Sequence, residues 1–319
     1  MKRVMVMIAA VTFATAVSVT AQPVLEHGDV VATSSRNVGE SELGAFAGTL
    51  VAFGRDGAAK GLMASFSAPP LSDPLVRDGI IYVGTRYPEG IQRFTLSGQQ
   101  LAPLTTAVDA VNYLGPGPNG GLFAVNGSCE LYQFAPDGSL VHFRDFQSYL
   151  PACGGVELAS DGCTVYWTLS GAIARWNACE RTEPELVTPN RHPNVFGALR
   201  LLSDGSFLVD SKNGFPVLHL DAQGNVIRTY AIRGQGLALD TDGTSFWTNQ
   251  FGWVTKVDIA TGAVVSQTYQ AATYGFSVVG EPRAGLHAHG GPHEIPTMST
   301  ALLAALGVLL TLVALVRLR

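Results

Sequence analysis

The chain has 319 residues, of which 14% are charged and 47% are hydrophobic, and its formal net charge is −5. A weakly charged, mildly acidic surface lacks the basic patch that binds nucleic acid, so we exclude nucleic acid as a partner. A body of this size accommodates either one large all-β domain or two smaller domains.

The first 21 residues have the pattern of a secretory signal peptide. Lys2 and Arg3 precede an apolar stretch at residues 4–17, and small residues lead up to Ala21. The apolar stretch is too short for a permanent membrane span and is typical of a segment that signal peptidase removes. We therefore predict that residues 1–21 are cleaved and that the remaining chain is exported.

Residues 22–284 contain a repeat with a period of about 40 residues. Short apolar and β-branched runs alternate with Asp-Gly and Asn-Gly turns, which favour hairpins between antiparallel strands. One family of these turns contains Gly79, Gly120, Gly162, Gly205 and Gly243. Four short strands per period predict the blade of a β-propeller. The predicted fold class is therefore all-β.

We predict six blades, numbered in chain order. Five complete units begin near Pro70, Val111, Gly154, Phe196 and Gly234. Residues 28–66 resemble a unit without its inner strand, and residues 275–281 resemble a lone inner strand. Joining these two pieces completes blade 1 from both ends of the domain, which closes the ring.

One segment carries a family resemblance. The sequence SFLVDSKNGFPVLHLDAQGNVIRTY has Asp210, Asn213, Asp221 and Gly224 in the strand and turn order of the NHL repeat, and it resembles NHL-type six-bladed propellers. The resemblance extends more loosely over most of residues 28–281. It implies the shape of a blade and no particular reaction.

The four cysteines indicate two disulfides, because an even number in an exported chain is typical of structural bridges. Cys163 and Cys179 flank a predicted hairpin in blade 4, where they would face each other on paired strands. Cys129 follows the second strand of blade 3, and Cys153 lies in the loop that leads into blade 4. Since both loops lie on one face of the ring, we predict the pairs Cys129–Cys153 and Cys163–Cys179.

The predicted ligand-binding face, here called the upper face, contains the loops that follow the second strands and the loops that lead into each blade. The second strands end mostly in polar residues, and exposed aromatic residues follow in these loops. The candidate ligand-binding residues are Arg86, Tyr87, Asn126, Asp210, Asn249, Phe251 and Trp253. The aromatic rings suit a protein or carbohydrate ligand. Alternatively, the rings cap the blade core and the polar side chains close local turns.

A metal-dependent hydrolase, lactonase or lyase is the alternative function. Similarity in shape to gluconolactonase-like propellers implies a divalent metal, held where the inner strands begin, but this chain has Gly155, Gly197 and Gly236 at those positions. Glu157 occupies the same blade position as Arg200 in the next unit, which predicts a structural ion pair. No catalytic residue is identified, so we favour a non-enzymatic protein without a cofactor.

Residues 285–298 are predicted to form a linker that ends in a sorting motif. His287, His289 and His293 lie close together in this linker, and His tracts of this kind bind divalent metals. The Gly-Gly-Pro context is typical of a flexible tether. We therefore predict no dedicated metal site, and these three histidines are only weak candidates.

The C-terminal tail begins with a predicted membrane span. Residues 299–316 carry no charge, and as a helix they would measure roughly 27 Å, enough to cross a bilayer core. The basic end, residues 317–319, is expected on the cytoplasmic side.

The tail also resembles a known sorting signal. Ile295, Pro296, Thr297 and Met298, followed by an apolar span and a basic end, are similar to the IPTL-type C-terminal signals of Gram-negative bacteria. The resemblance implies an exosortase-like partner enzyme and a location in the cell envelope or at its surface. A plain membrane anchor is the alternative. The whole sequence thus predicts an exported propeller that acts as a binding or scaffold module.

Overall fold

The computed structural model describes residues 22–37, 46–66, 72–85, 90–108, 110–145, 153–188, 192, 196–211, 215–250, 252–270 and 273–283. These residues form six four-stranded sheets. Every strand pairs antiparallel with its neighbours, and each sheet is one blade of a ring around a central channel. The six-bladed all-β propeller predicted from the sequence is confirmed.

Within blades 2 to 6 the four strands follow one another from the channel outwards. Blade 2 contains β4 (Leu75–Arg77), β5 (Ile80–Thr85), β6 (Gly90–Thr95) and β7 (Gln100–Thr105). Blade 3 contains β8 (Val111–Pro116), β9 (Leu122–Asn126), β10 (Glu130–Phe134) and β11 (Leu140–Asp145), with a short 3-10 turn at Pro118–Gly120. Blade 4 contains β12 (Cys153–Leu158), β13 (Thr164–Leu169), β14 (Ala172–Asn177) and β15 (Glu185–Leu186).

The next two blades have the same order. Blade 5 contains β16 (Phe196–Leu201), β17 (Phe207–Ser211), β18 (Pro216–Leu220) and β19 (Val226–Arg233). Blade 6 contains β20 (Gln235–Leu239), β21 (Ser245–Gln250), β22 (Trp253–Asp258) and β23 (Val264–Tyr269). The tight glycine turns between inner and second strands all lie on the lower face of the ring, opposite the upper face.

Blade 1 combines the two ends of the domain. Its strands, from the channel outwards, are β24 (Thr273–Val278), β1 (Val30–Asn37), β2 (Phe46–Phe53) and β3 (Ala59–Phe66). Strand β24 pairs with β1 in a register that places Val30 opposite Val278. The predicted closure of the ring is therefore present, and it joins residues about 250 positions apart through sheet hydrogen bonds.

The hydrophobic core lies between neighbouring blades. On one side of blade 6, Val257 packs with Val217 of blade 5. On its other side, Trp247 and Val254 pack with Phe53 of blade 1. Because side chains alternate along a strand, each blade presents one apolar face to each neighbour and buries both.

The inner strands approach each other closely around the channel. A Cβ atom at Gly115 in blade 3 would lie 2.3 Å from the carbonyl oxygen of Val156 in blade 4. This distance is far below van der Waals contact, so only glycine lets the two backbones come this close.

Two disulfides reinforce blades 3 and 4. Cys129–Cys153 joins the turn after β9 to the start of β12, with 5.2 Å between the Cα atoms. Cys163–Cys179 joins the two ends of the β13–β14 hairpin, with a Cα separation of 5.3 Å. Both predicted pairs are confirmed. They are typical of proteins that fold in an oxidising compartment.

Several predictions concern parts of the chain outside the described residues. These are the signal peptide at 1–21, the linker and sorting motif at 285–298, the span at 299–316 and the basic end at 317–319. In the part of the chain that the structure describes, no helix has the length and apolar character needed to cross a membrane.

Candidate functional site

A ring of buried polar side chains lies near the upper ends of the second strands. Its members are Thr33, Thr85, Asn126, Thr168, Asp210 and Asn249. In blade 4 the polar member is Thr168, because Leu169, the last residue of β13, is part of the hydrophobic core. The ring is thus more uniformly polar than the sequence indicated.

Most ring members connect one blade to the next. Asp210 accepts hydrogen bonds from the backbone N–H groups of Ala198 in blade 5 and Gly236 in blade 6, at 2.5 and 2.6 Å. Asn249 of blade 6 donates to the carbonyl oxygen of Thr273 in blade 1 and accepts from the N–H of the turn residue Gly252. Asp210 and Asn249, two of the predicted ligand-binding residues, therefore hold the inner strands together.

The same arrangement occurs on other blades. The hydroxyl of Thr168 donates to the carbonyl oxygen of Gly197 in blade 5 at 2.7 Å. In the same way, Thr33 of blade 1 donates to the carbonyl oxygen of Ser72, which precedes the inner strand of blade 2, at 3.2 Å. A buried side chain that satisfies a backbone group of the next blade stabilises the ring.

Asn126 has a local role. Its Oδ1 accepts hydrogen bonds from the N–H groups of Ser128 and Glu130, both at 3.0 Å, and its Nδ2 donates to the Glu130 carboxylate. These bonds shape the turn that carries Cys129, whose φ of 64° lies in the left-handed region. Asn126 thus positions the Cys129–Cys153 disulfide.

Trp253 is the predicted ligand-binding residue with the clearest exposure. It is 44% exposed at the start of β22, and its ring lies 5.3 Å from that of Tyr269, at an interplanar angle of 68°. Tyr269 lies directly opposite Trp253 in the strand register and is 59% exposed. Arg86, Tyr87 and Phe251 lie outside the described residues.

The segment after β24 crosses the lower mouth of the channel. Glu281 accepts hydrogen bonds from Nε of Arg200 in blade 5 and from the N–H of Leu239 in blade 6, at 2.6 and 2.7 Å. Nη2 of Arg283 lies 2.6 Å from Oε1 of Glu157 in blade 4. Since blade 4 is opposite blade 1 in a ring of six, Arg283 reaches across the channel.

The four charged side chains form one buried ion network. Arg200 lies 3.4 Å from Glu157, so the predicted ion pair is present, and no member is more than 2% exposed. Burial raises the pKa of the Glu157 carboxyl, and the guanidinium groups of Arg283 and Arg200 limit the rise. Burial acts to lower the pKa of Arg200, but the carboxylates of Glu281 and Glu157 outweigh it and raise the pKa. Two acids and two bases therefore compensate each other away from water.

Asp73 lies above this network, just before the inner strand of blade 2. It is 7% exposed and makes no hydrogen bond to another described residue. Burial raises its pKa to about 8, with Arg200 acting to lower it and Asp210 to raise it. Burial, together with Asp210 and Asp73, also raises the pKa of Tyr113 well above its usual range. Burial thus favours the protonated form of the Asp73 carboxyl group in the middle of the channel, and acids perturbed in this way are common at functional sites.

The described residues do not form a metal site of the gluconolactonase kind. A Cβ atom at Gly155 would lie 2.4 Å from the backbone nitrogen of Leu199, so no ligating side chain fits at that position. Within the described ranges, no three His, Cys, Asp or Glu residues are placed to hold a metal ion. His287, His289 and His293 lie outside these ranges.

Sequence reasoning missed four residues of these sites: Asp73, Tyr269, Glu281 and Arg283. The signal for Tyr269 was available, because aligning the strands of the last hairpin places it opposite Trp253. The other three residues interact with other blades across the channel. Their partners are distant in sequence, as Glu157 is from Arg283. No local pattern indicates such contacts.

The fold and these contacts define a six-bladed β-propeller whose channel is closed by its own chain. No protein-family model matches the chain, and no curated protein matches it. Among solved structures, a chain of the nidogen/laminin complex is similar, with a TM-score of 0.61 and 12% identity over 79% of this chain and 98% of that chain. The C-terminal WD40 domain of Sif2 has a TM-score of 0.46 and 12% identity, over 78% of this chain and 74% of that chain. At 12% identity the likeness to the chain of the nidogen/laminin complex shows the fold alone.

We predict from the ion network that Arg283→Met strongly destabilises the folded protein. The substitution removes one of two positive charges from a buried network and leaves the Glu157 carboxylate poorly compensated. We expect the free energy of unfolding to fall by about 3 kcal/mol or more, measured by urea denaturation at pH 7.

A matched control is Arg175→Met, because Arg175 and Glu185 form an ion pair that is 49% and 62% exposed. This variant should change stability by less than about 0.5 kcal/mol. Adding Glu157→Gln to Arg283→Met should restore part of the loss. Equal small effects of Arg175→Met and Arg283→Met would contradict the role given to the network.

We predict that Asp73→Asn makes the protein more stable than the wild type, by an amount that depends on pH. The folded-state pKa of about 8 exceeds the ordinary value of 3.8, so unfolding releases a proton between these pH values. The contribution of Asp73 to stability is present below pH 3.8 and is lost as the pH rises to 8. As the pH rises from 5 to 8, the free energy of unfolding of the variant should therefore increase relative to that of the wild type. The increase is up to about 4 kcal/mol, at 1.36 kcal/mol per pH unit. Urea denaturation at several pH values measures the difference, and a difference that does not vary with pH would contradict the assignment.

Proposed function

We propose that this protein is an exported binding module that captures its ligand on the upper face of the propeller. The observation that carries the proposal is the exposed aromatic pair of Trp253 and Tyr269. Exposed aromatic rings are costly in water and are enriched where proteins bind partners. The pair lies on rigid, paired strands, so its geometry is fixed before a ligand arrives.

The contacts inside the channel favour binding over catalysis. Asp210 and Asn249 are bonded to backbone groups of neighbouring blades. Glu157 is engaged by Arg200 and Arg283. A hydrolase or lyase acting in the channel would need these polar groups for its substrate or metal. The exposed rim offers a surface that the fold does not already use.

Export and sorting are part of the proposal. The two disulfides are typical of an oxidising compartment, and the first 21 residues have the pattern of a signal peptide. We propose that an exosortase-like enzyme recognises residues 295–298 and that the propeller is delivered to the cell envelope or surface of a Gram-negative bacterium. A plain anchor at residues 299–316 is the competing interpretation.

A combined binding and turnover screen tests the binding function. The full-length protein is presented with glycans, peptides and lactones, and its metal content is measured. We expect saturable binding in the glycan or peptide set, weakened at least tenfold, or about 1.4 kcal/mol, by Trp253→Ala. Leu186→Ala, at a 53% exposed site on the outer strand of blade 4, is the matched control and should bind normally. One tightly bound metal with EDTA-sensitive lactone turnover, or no saturable ligand at all, would overturn the proposal.

The sorting signal has a separate test. Protein isolated from its native host is analysed by mass spectrometry at both ends. We expect an N-terminus near Gln22 and a C-terminus that lacks residues 299–319, because the tail is removed during sorting. A chain that still ends in Arg319 would rule out processing and favour the plain anchor.

A further inference from the structure

The upper part of the cleft between blades 5 and 6 has aromatic walls. Along β22, Val257 packs with residues of blade 5 and Val254 with residues of blade 1. Side chains alternate along a strand, so Trp253, which shares its side with Val257, faces blade 5. On β23, Thr268 donates to the carbonyl oxygen of Gly57 in blade 1 at 2.7 Å. Its neighbour Tyr269 therefore also faces blade 5, in agreement with its contact to Trp253.

The opposite wall belongs to blade 5. Val217 packs in the cluster shared with blade 6. Phe215 directly precedes β18 and is 42% exposed, and we infer from the alternation of side chains that it lies on the same side as Val217. The Tyr230 hydroxyl donates to the carbonyl oxygen of Ile259 in blade 6 at 2.8 Å. Ile232, two residues later, packs against the same cluster. Phe215 and Ile232 thus lie across the cleft from Trp253 and Tyr269.

The side chains between blades 5 and 6 are buried in the lower part of the cleft and exposed in the upper part. Tyr230 is buried against blade 6 and closes the lower part. Among the described residues, four aromatic side chains are more than 40% exposed, and three of them line this cleft: Phe215, Trp253 and Tyr269. The fourth, Phe143, lies on the outer strand of blade 3. We call the upper part of this cleft, lined by Phe215, Ile232, Trp253 and Tyr269, the aromatic groove.

The chemistry of the walls selects a ligand class. Gln267, which shares the side of Tyr269, donates a hydrogen bond at 3.1 Å to the buried hydroxyl of Thr255 and adds an amide group to the wall. None of the five wall side chains, Phe215, Ile232, Trp253, Gln267 and Tyr269, is charged. Stacking platforms for single-stranded nucleic acid combine aromatic rings with basic residues, and acidic motifs are recognised by arginines. An uncharged ligand fits this groove better than either.

We propose that the aromatic groove binds a neutral carbohydrate chain. The inference rests on the proposed binding function and names its ligand class. A pyranose ring has an apolar C–H face that packs on an aromatic ring, and an edge of hydroxyl groups that bond to amides and hydroxyls. The planes of the Trp253 and Tyr269 rings meet at 68° and form a corner. This corner matches the shape of a pyranose ring, whose C–H face can pack on one aromatic ring while its hydroxyl edge lies against the other. A proline-rich peptide would instead insert between roughly parallel aromatic ridges.

Tryptophan fluorescence of the full-length protein provides a direct test. Trp167, Trp176 and Trp247 are buried, so a change in emission on titration with a ligand reports mainly on Trp253. The probes are neutral hexasaccharides of glucose and of N-acetylglucosamine, in α- and β-linked forms. We expect at least one to bind saturably and to shift the emission. Phe215→Ala and Tyr269→Ala should each weaken its affinity at least tenfold, while Phe143→Ala, at an equally exposed aromatic site, should bind as the wild type does.

The possible failures are distinguishable. Saturable binding of a proline-rich peptide with no response to any hexasaccharide would overturn the ligand class and leave the binding function standing. Hexasaccharide binding that survives both Phe215→Ala and Tyr269→Ala would overturn the groove as its site. No response to either probe would overturn the inference, provided that circular dichroism shows each variant folded.

Discussion

The structure depends on ring closure, and closure depends on the C-terminal end of the domain, which supplies a strand of blade 1 and two members of a buried charge network. Strand β24 supplies the inner strand of blade 1, and Glu281 and Arg283 continue from it into the channel. Without these partners Glu157 and Arg200 would have only each other, at 3.4 Å, to offset the cost of burying their charges. The last few residues of the domain therefore help to set the geometry of blades 4, 5 and 6 as well as that of blade 1.

Ring closure also occupies many of the polar groups in the channel. A catalytic channel needs polar groups that are held in position and still available to a substrate. Here the buried acids and amides near the axis mostly satisfy backbone groups of the adjacent blade, as Asp210 does for Gly236. Asp73 differs because it is buried without a hydrogen bond to another described residue. The rim between blades 5 and 6 combines a fixed scaffold with exposed rings, which are the features of a binding surface.

Local patterns in the sequence were sufficient for most of the fold. Turn glycines such as Gly79 and Gly205 mark hairpins, and their even spacing gives the blade count, because each blade is built from contacts between neighbouring segments. The same register predicted both disulfides. The sequence also placed Trp253 on the exposed rim. It did not reveal the aromatic groove, because Phe215 and Tyr269 lie on different blades and their sides depend on which neighbour each strand packs against.

The crossing of the channel by Glu281 and Arg283 has a mechanical consequence. A force that pulls on the chain beyond Arg283 is transmitted first to the axis of the ring, through the contacts of Arg283 with Glu157 and of Glu281 with Arg200. The load is then shared among the inner strands of several blades, and it does not peel one sheet from its edge. Tension applied at Arg283 would thus be distributed around the centre of the ring at the lower mouth of the channel, opposite the face that carries the aromatic groove.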